Sequence, residues 1–269
     1  MKFRYLYMLI LAFIINKVGA QSTASKQVTK FEIASPQLNA LKTIWVYLPS
    51  DYKNSKKSYP VLYMHDAQNL FDIATAYAGE WEIDEYMDSL LVNKSIIIGI
   101  EHGNEKRIDE LTPYEHKKHG GGQGEAYVSF IKHTLKPHVD VAYRTKSEAK
   151  NTTIMGSSLG GLISFYATIK YPKTFGNAGV FSPAFWINPE IFDLVNTTDI
   201  PESSKFYFVA GTDEGETMLP KLEEMISLLK SKGVKTTQFE FHSIGGGQHN
   251  EEFWAQQFGE GYQYLIINN

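Results

Sequence analysis

The chain of 269 residues contains no cysteine. Disulfides, thiolate zinc sites, a lipid-modified cysteine and a cysteine nucleophile are thereby excluded. No apolar run reaches the roughly 18 residues that a membrane-crossing helix requires, so no stable membrane insertion is expected of the mature chain. Basic residues are too few and too scattered to form a stripe. With 26 Lys+Arg against 30 Asp+Glu, the formal net charge is −4, which argues against nucleic acid as a partner. Internal repeats and long low-complexity linkers are also missing, which leaves one large domain as the expected organisation.

What is present begins with a short apolar run over residues 5–15, preceded by Lys2 and Arg4 and followed by the small residues Val18-Gly19-Ala20. That layout predicts a secretory signal peptide over 1–20 and a mature domain over 21–269, placed outside the cytoplasm as a secreted or periplasmic protein. Removing Lys2, Arg4 and Lys17 changes the formal charge from −4 to −7. Export without disulfides suits a bacterial envelope or extracellular enzyme.

Residues 21–30 are polar and read as a loose lead-in. Beyond them, β-favouring runs alternate with helical periodicity. Strands are expected over 42–48, 60–64, 95–100, 152–155, 177–181, 205–210 and 234–242. Helices are expected over 80–91, 124–135, 217–231 and 251–267, with another from Leu159 to the stop at Pro172. Repeated strand-then-helix units imply an α/β fold with a mostly parallel sheet covered by helices on both faces. Ligand sites in such sheets lie at the carboxyl ends of the strands. The stretch between Ser182 and Lys205 is too short for a large cap domain.

One strand exit carries Gly156-Ser157-Ser158-Leu159-Gly160. Ser158 fits a Gly-x-Ser-x-Gly frame between a strand and a helix, the setting in which a serine hydroxyl stands exposed on a sharp turn. Ser157 does not fit, because Met155 lies two positions before it. Gly156 and Gly160 are expected to be needed where strand and helix approach.

A serine nucleophile needs a base, and the base needs an orienting acid, in the chain order serine, acid, histidine. Only His242 and His249 follow Ser158. His242 sits in an alternating strand pattern, whereas His249 follows the flexible Gly245-Gly246-Gly247-Gln248 loop. The acid should come from Asp213 or Glu214 at the exit of the strand before them, and spacing does not choose between the two. Oxyanion donors are expected from the amide of Leu159 and from Asp66 or Ala67 after the strand over 60–64. His65 and Asp66 precede the serine and read as structural support. His116 and His119 read as a solvated loop, so no metal site is expected, and no cofactor is required.

Five stretches together resemble the putative esterase family of α/β hydrolases, which includes esterase D, enterochelin esterases and feruloyl and acetyl-xylan esterases. They are Pro60 through Phe71, Arg107 through Pro113, Gly156-Ser157-Ser158-Leu159-Gly160-Gly161, Phe181-Ser182-Pro183-Ala184-Phe185-Trp186 and Gly247-Gln248-His249-Asn250. The resemblance implies an α/β-hydrolase fold, Ser158 as nucleophile, His249 as base and Glu214 rather than Asp213 as acid. It also implies that Arg107 and Glu110 shape the rim of the site, although three-residue spacing would let them pair with each other. Members of this type often carry Gly where this chain has Ala67. Trp81, Phe185, Trp186 and Trp254 are candidates for a stacking platform, Trp186 being the favoured substrate contact, with core packing as the alternative. The resulting expectation is a serine carboxylesterase acting on a small-molecule or glycan-linked ester, or on a siderophore ester. An acyltransferase of the same fold and a non-catalytic binding module are the rival readings.

Overall fold

The computed structural model describes residues 21–267, so the expected signal segment over 1–20 lies outside the described residues. Among the described residues, ten strands and eight α-helices follow in chain order. They are β1 (Val28–Ser35), β2 (Ala40–Tyr47), β3 (Val61–His65), α1 (Ile83–Ser89), β4 (Ile96–Ile100), α2 (Arg107–Leu111), β5 (Glu115–His116), β6 (Gly120–Gly121), α3 (Gly124–Phe130) and α4 (Lys136–Ala142). Then come β7 (Thr152–Ser157), α5 (Leu159–Lys170), β8 (Asn177–Phe181), α6 (Glu190–Thr197), β9 (Lys205–Gly211), α7 (Met218–Ser231), β10 (Phe239–Ile244) and α8 (Glu251–Tyr262). Eight strands form one sheet in the order β1-β2-β4-β3-β7-β8-β9-β10, and β5 and β6 make a separate small hairpin.

The sheet is mostly parallel. Only β1 against β2 and β2 against β4 run antiparallel; every pairing from β4 to β10 is parallel. This is the α/β-hydrolase architecture. All five residues of β3, β4 and β8 are buried, as continuous apolar runs flanked by helices on both faces require. Alternation still sorts the side chains: Leu62 and Met64 join one core with Trp45, Phe71 and Trp254, while Val61 and Tyr63 join the other with α5. The segment between β8 and β9 holds α6 and no cap.

Four expectations need correction. The lead-in is not loose: its last three residues open β1, an edge strand whose one-sided burial hid its pattern. Ser22, Thr23 and Ser25 are moreover tied by hydrogen bonds to Asp72, Glu80 and Asp84. The helix expected over 124–135 is α3 followed by a π-turn at Ile131–Leu135, after which the chain continues as α4. Pro137, in the first turn of α4, cannot donate to the ladder and crowds the carbonyl four residues back, so the winding loosens there rather than stopping. The last strand starts at Phe239, because Lys235–Gln238 form a turn closed by the Gln238 amide on the Lys235 carbonyl at 2.9 Å. The closing helix is α8 followed by a second π-turn, Gln263–Ile267.

A buried ion pair joins the antiparallel edge to α2. Lys42 Nζ lies 2.7 Å from Glu110 Oε2, with side chains 4% and 6% exposed. Glu110 also accepts the Gly103 amide at 3.1 Å. Removing one member strands the other charge away from water, so Glu110→Ala is expected to cost about 3–5 kcal/mol. Urea unfolding reads this directly, and the Lys42→Met/Glu110→Leu double variant should recover most of the loss.

Candidate active site

Because the central strands are parallel, their exits all open at the same edge of the sheet. Ser158 follows β7, Ser182 follows β8, Glu214 lies three residues beyond β9 and His249 five beyond β10, while Asp66 follows β3. Ser158 has φ 56° and ψ −118°, a strained backbone for a residue with a Cβ. Three main-chain hydrogen bonds hold it there. Its amide donates to the Phe181 carbonyl at 2.9 Å, and its carbonyl accepts the amides of Leu162 at 3.1 Å and Ala184 at 3.0 Å. The glycine requirement differs from the expectation at one position. A Cβ on Gly156 would lie 3.0 Å from the Gly160 backbone, and one on Gly161 would lie 2.8 Å from the Phe181 carbonyl oxygen. A Cβ on Gly160 would meet its nearest neighbour, the His65 Cβ, at 3.4 Å, which is ordinary contact. The tight pair is therefore Gly156 and Gly161.

Ser158, His249 and Glu214 are brought together. His249 Nε2 lies 3.0 Å from Ser158 Oγ, and His249 Nδ1 lies 2.8 Å from Glu214 Oε2. A carboxylate only accepts, so Nδ1 carries the hydrogen and Nε2 is left to accept from the serine hydroxyl. The Glu214 side chain is fully buried. Its Oε1 accepts the Gly211 amide at 2.6 Å and the Ser182 hydroxyl at 2.7 Å, so both oxygens of the buried charge are satisfied. Asp213 is exposed, and its carboxylate receives the neighbouring Thr212 hydroxyl instead. The histidine loop is pressed against the acid loop, where a Cβ on Gly211 would collide with the Gly247 carbonyl. His242, by contrast, lies within β10 and pairs with Glu240.

Beneath the elbow sits His65, buried against Gly156 and Gly160. The Ser164 hydroxyl donates to the Gly160 carbonyl at 2.7 Å, so His65 Nε2–H donates to Ser164 Oγ at 3.1 Å and the Tyr127 hydroxyl donates to Nδ1 at 2.7 Å. Burial lowers the His65 pKa to about 4 and keeps the ring neutral, in keeping with structural support. Asp66, in the left-handed region at φ 57°, holds Arg107 in a two-pronged ion pair at 2.7 and 2.9 Å. Burial pushes the Asp66 carboxyl up, but the Arg107 guanidinium more than offsets this and holds it below the usual carboxylate range. Arg107 therefore does not pair with Glu110, whose partner is Lys42. Ala67 has no positive φ, and its methyl faces the bare Cα of Gly99, where an added Cβ would stand 2.9 Å away. Gly99 thus makes the room that the alanine takes. Leu159 is the first residue of α5, so its amide has no acceptor within the helix.

A cleft of about 330 Å³ is lined by Asp66, Arg107, Ser158, His249, Trp81 and Trp254, among others; Ala67, Leu159 and Glu214 are not in its lining. A larger groove, about 850 Å³, lies at the opposite ends of the strands near Pro60, Lys94 and Thr153 and contains none of the expected site residues. Of the aromatic candidates, Trp81 and Trp254 line the cleft and pack on each other at 6.0 Å. Phe185 is wholly core. Trp186 is 42% exposed and lies outside the cleft lining, its ring edge-on to His119, which stacks on His116. Sequence reasoning missed His102, Asn69 and Glu251 as cleft residues. Burial lowers the His102 pKa and raises that of Glu251, and Asn69 Nδ2 donates to Glu251 Oε1 at 3.1 Å. The position of Glu251, two residues after His249, was the available signal. Among the described residues one carboxylate cluster, Glu80, Asp84 and Glu85, brings its oxygens within 4.8 Å; His116 and His119 are not part of it.

A family model described as Putative esterase matches residues 35–265. The chain belongs to the putative esterase family. Its coarse chemistry is that of an esterase. The Bacillus subtilis (strain 168) protein YbbA is 26% identical over 237 residues, covering 83% of this chain and 92% of its own. Among solved structures, a ferulic acid esterase superposes with a TM-score of 0.69 at 19% identity, over 89% of this chain and 98% of that one. The enterobactin esterase of Shigella flexneri gives 0.71 at 16% identity, over 92% of this chain and 61% of that one. These two likenesses concern the fold. Among the described residues no helix is long and apolar enough to cross a membrane.

The buried His65 makes stability depend on pH. Its pKa falls from 6.5 to about 4 on folding, so below pH 6.5 the unfolded chain binds the proton that the folded chain refuses. Stability from this residue is complete above pH 6.5 and is lost as the pH falls toward 4, by on the order of 3 kcal/mol. Urea unfolding across that window should show the loss, and His65→Gln should flatten it.

Proposed function

We propose that this protein is a secreted serine carboxylesterase. The observation that carries the reading is the unbroken hydrogen-bonded line from Ser158 Oγ through His249 to Glu214 at the parallel strand exits. Ser158 attacks the ester carbonyl while His249 Nε2 takes the hydroxyl proton, and the Glu214 carboxylate stabilises the imidazolium so formed. The tetrahedral oxyanion is received by the amide of Leu159 and by that of Ala67 or Asp66, where losing one donor typically costs about 3–4 kcal/mol of barrier. Collapse releases the alcohol, protonated by His249. Water activated by the same imidazole then attacks the acyl-enzyme, giving the acid and free serine.

The His249 side chain is 35% exposed, so water reaches it without a lid. Trp81 and Trp254 offer the acyl group an apolar wall, while Arg107, held by Asp66, offers a polar one. A glycan-linked or siderophore ester suits this open rim, in line with the ferulic acid and enterobactin esterases that share the fold. Export is supported by the basic, apolar and small-residue layout of 1–20, and intact-mass measurement of the envelope-fraction protein should begin at Gln21.

A fluorophosphonate probe should label the protein on Ser158 and fail on Ser158→Ala; an unlabelled wild type would favour a binding module. Glu214→Gln should lower kcat by several orders of magnitude and Asp213→Asn by little. A loss confined to Asp213→Asn reverses the assignment. Adding an acceptor alcohol to a panel of feruloyl, acetylated-xylan and siderophore esters separates hydrolysis from transfer and identifies the acyl group.

A further inference from the structure

We propose that Ser182 and Trp254 are positioning residues for the acid and the histidine, a role that rests on the hydrolytic reading above. Ser182 is fully buried at φ 41°. Its amide donates to the Val209 carbonyl at 2.7 Å, locking it between the exits of β8 and β9. Its hydroxyl oxygen lies 2.8 Å from Trp254 Nε1 and 2.7 Å from Glu214 Oε1. An indole N–H only donates and a carboxylate only accepts. The hydroxyl proton therefore has one place to go, and it is aimed at the acid. The same indole ring stands perpendicular to the His249 imidazole, at 4.9 Å and 88°. Trp254 thus bears on both partners of the Nδ1–Oε2 hydrogen bond, on the histidine directly and on the acid through Ser182.

The two contacts do different work. A carboxylate gripped through one oxygen by a main-chain amide and a serine keeps its other oxygen aimed at Nδ1. The ring wall limits the tilt of the imidazole toward or away from Ser158. Neither effect needs contact with substrate, and Ser182 is absent from the cleft lining. Loss of the Ser182 hydroxyl leaves the carboxylate charge less satisfied. A less satisfied carboxylate stabilises the imidazolium more strongly, which moves the acid limb of the rate profile to higher pH. The other charged groups sharing the cleft with His249 are Glu251 on α8, Asp66 after β3 and Arg107 on α2, and the substitutions below leave all three in place.

The test compares p-nitrophenyl acetate hydrolysis by full-length wild type, Ser182→Ala, Trp254→Phe and the double variant, each with its melting temperature and fluorophosphonate labelling. Ser182→Ala should lower kcat about tenfold or more with KM changed less than about twofold. Its acid limb should rise by on the order of half a pH unit. Trp254→Phe keeps a ring against His249 but loses the N–H, so its limb should move the same way by less. The double variant should move no further than Ser182→Ala, because both substitutions break one chain of bonds. Limbs that coincide with wild type in folded variants, a loss falling on KM alone, or additive shifts overturn the positioning role. Should Ser182→Ala fail to fold, the Trp254→Phe limb decides. Labelling of Ser158 with unmoved limbs sinks this role alone, whereas an unlabelled wild type sinks the hydrolytic reading and this role with it.

Discussion

A charged carboxylate sealed from water at the end of β9 is the constraint on which the rest of the site depends. Donors meet both oxygens of Glu214 in that place: an amide, a serine hydroxyl and an imidazole N–H. Each donor comes from a different part of the chain. Gly211 belongs to β9 itself, Ser182 follows the neighbouring β8 and His249 follows β10 on the other side. Satisfying one buried charge therefore welds three consecutive strand exits into a single rigid edge.

The elbow at Ser158 is built by the same means. A residue with a side chain is held at positive φ by bonds to Phe181, Leu162 and Ala184, so the strain is carried by β8 and α5 together. Gly156 and Gly161 let these backbones close around it, and neutral His65 fills the space below while tying Tyr127 to Ser164. Protonating that ring would put a charge in a pocket shut off from water.

Around this edge the Arg107 guanidinium in the cleft wall is locked onto Asp66. Glu110 does not reach the cleft lining and is held in the core by Lys42 instead. The segment before β1 is tied to the region ahead of α1, where Thr23 and Ser25 donate to Glu80 and Asp84.

The strand-then-helix alternation, the elbow motif and the histidine after its glycine loop were all legible in the amino-acid order, because each is a local pattern with a period or a fixed spacing. Exposed β1 escaped notice, since an edge strand half open to water lacks a continuous apolar run. The π-turn before Pro137 escaped too, since a helical period looks the same on either side of it. Spacing alone left Asp213 and Glu214 equal, and the resemblance to a family preferred Glu214; the fold separates them by burying one and leaving the other in solvent. It likewise sent Arg107 to Asp66, about forty residues away, rather than to Glu110 three away, and brought Ser182 and Trp254 onto the acid. Sequence decides which groups stand at the ends of strands, because hydrophobic period and turn chemistry are local. Which of those groups face each other follows only from strand order and close packing, which join residues the chain keeps far apart.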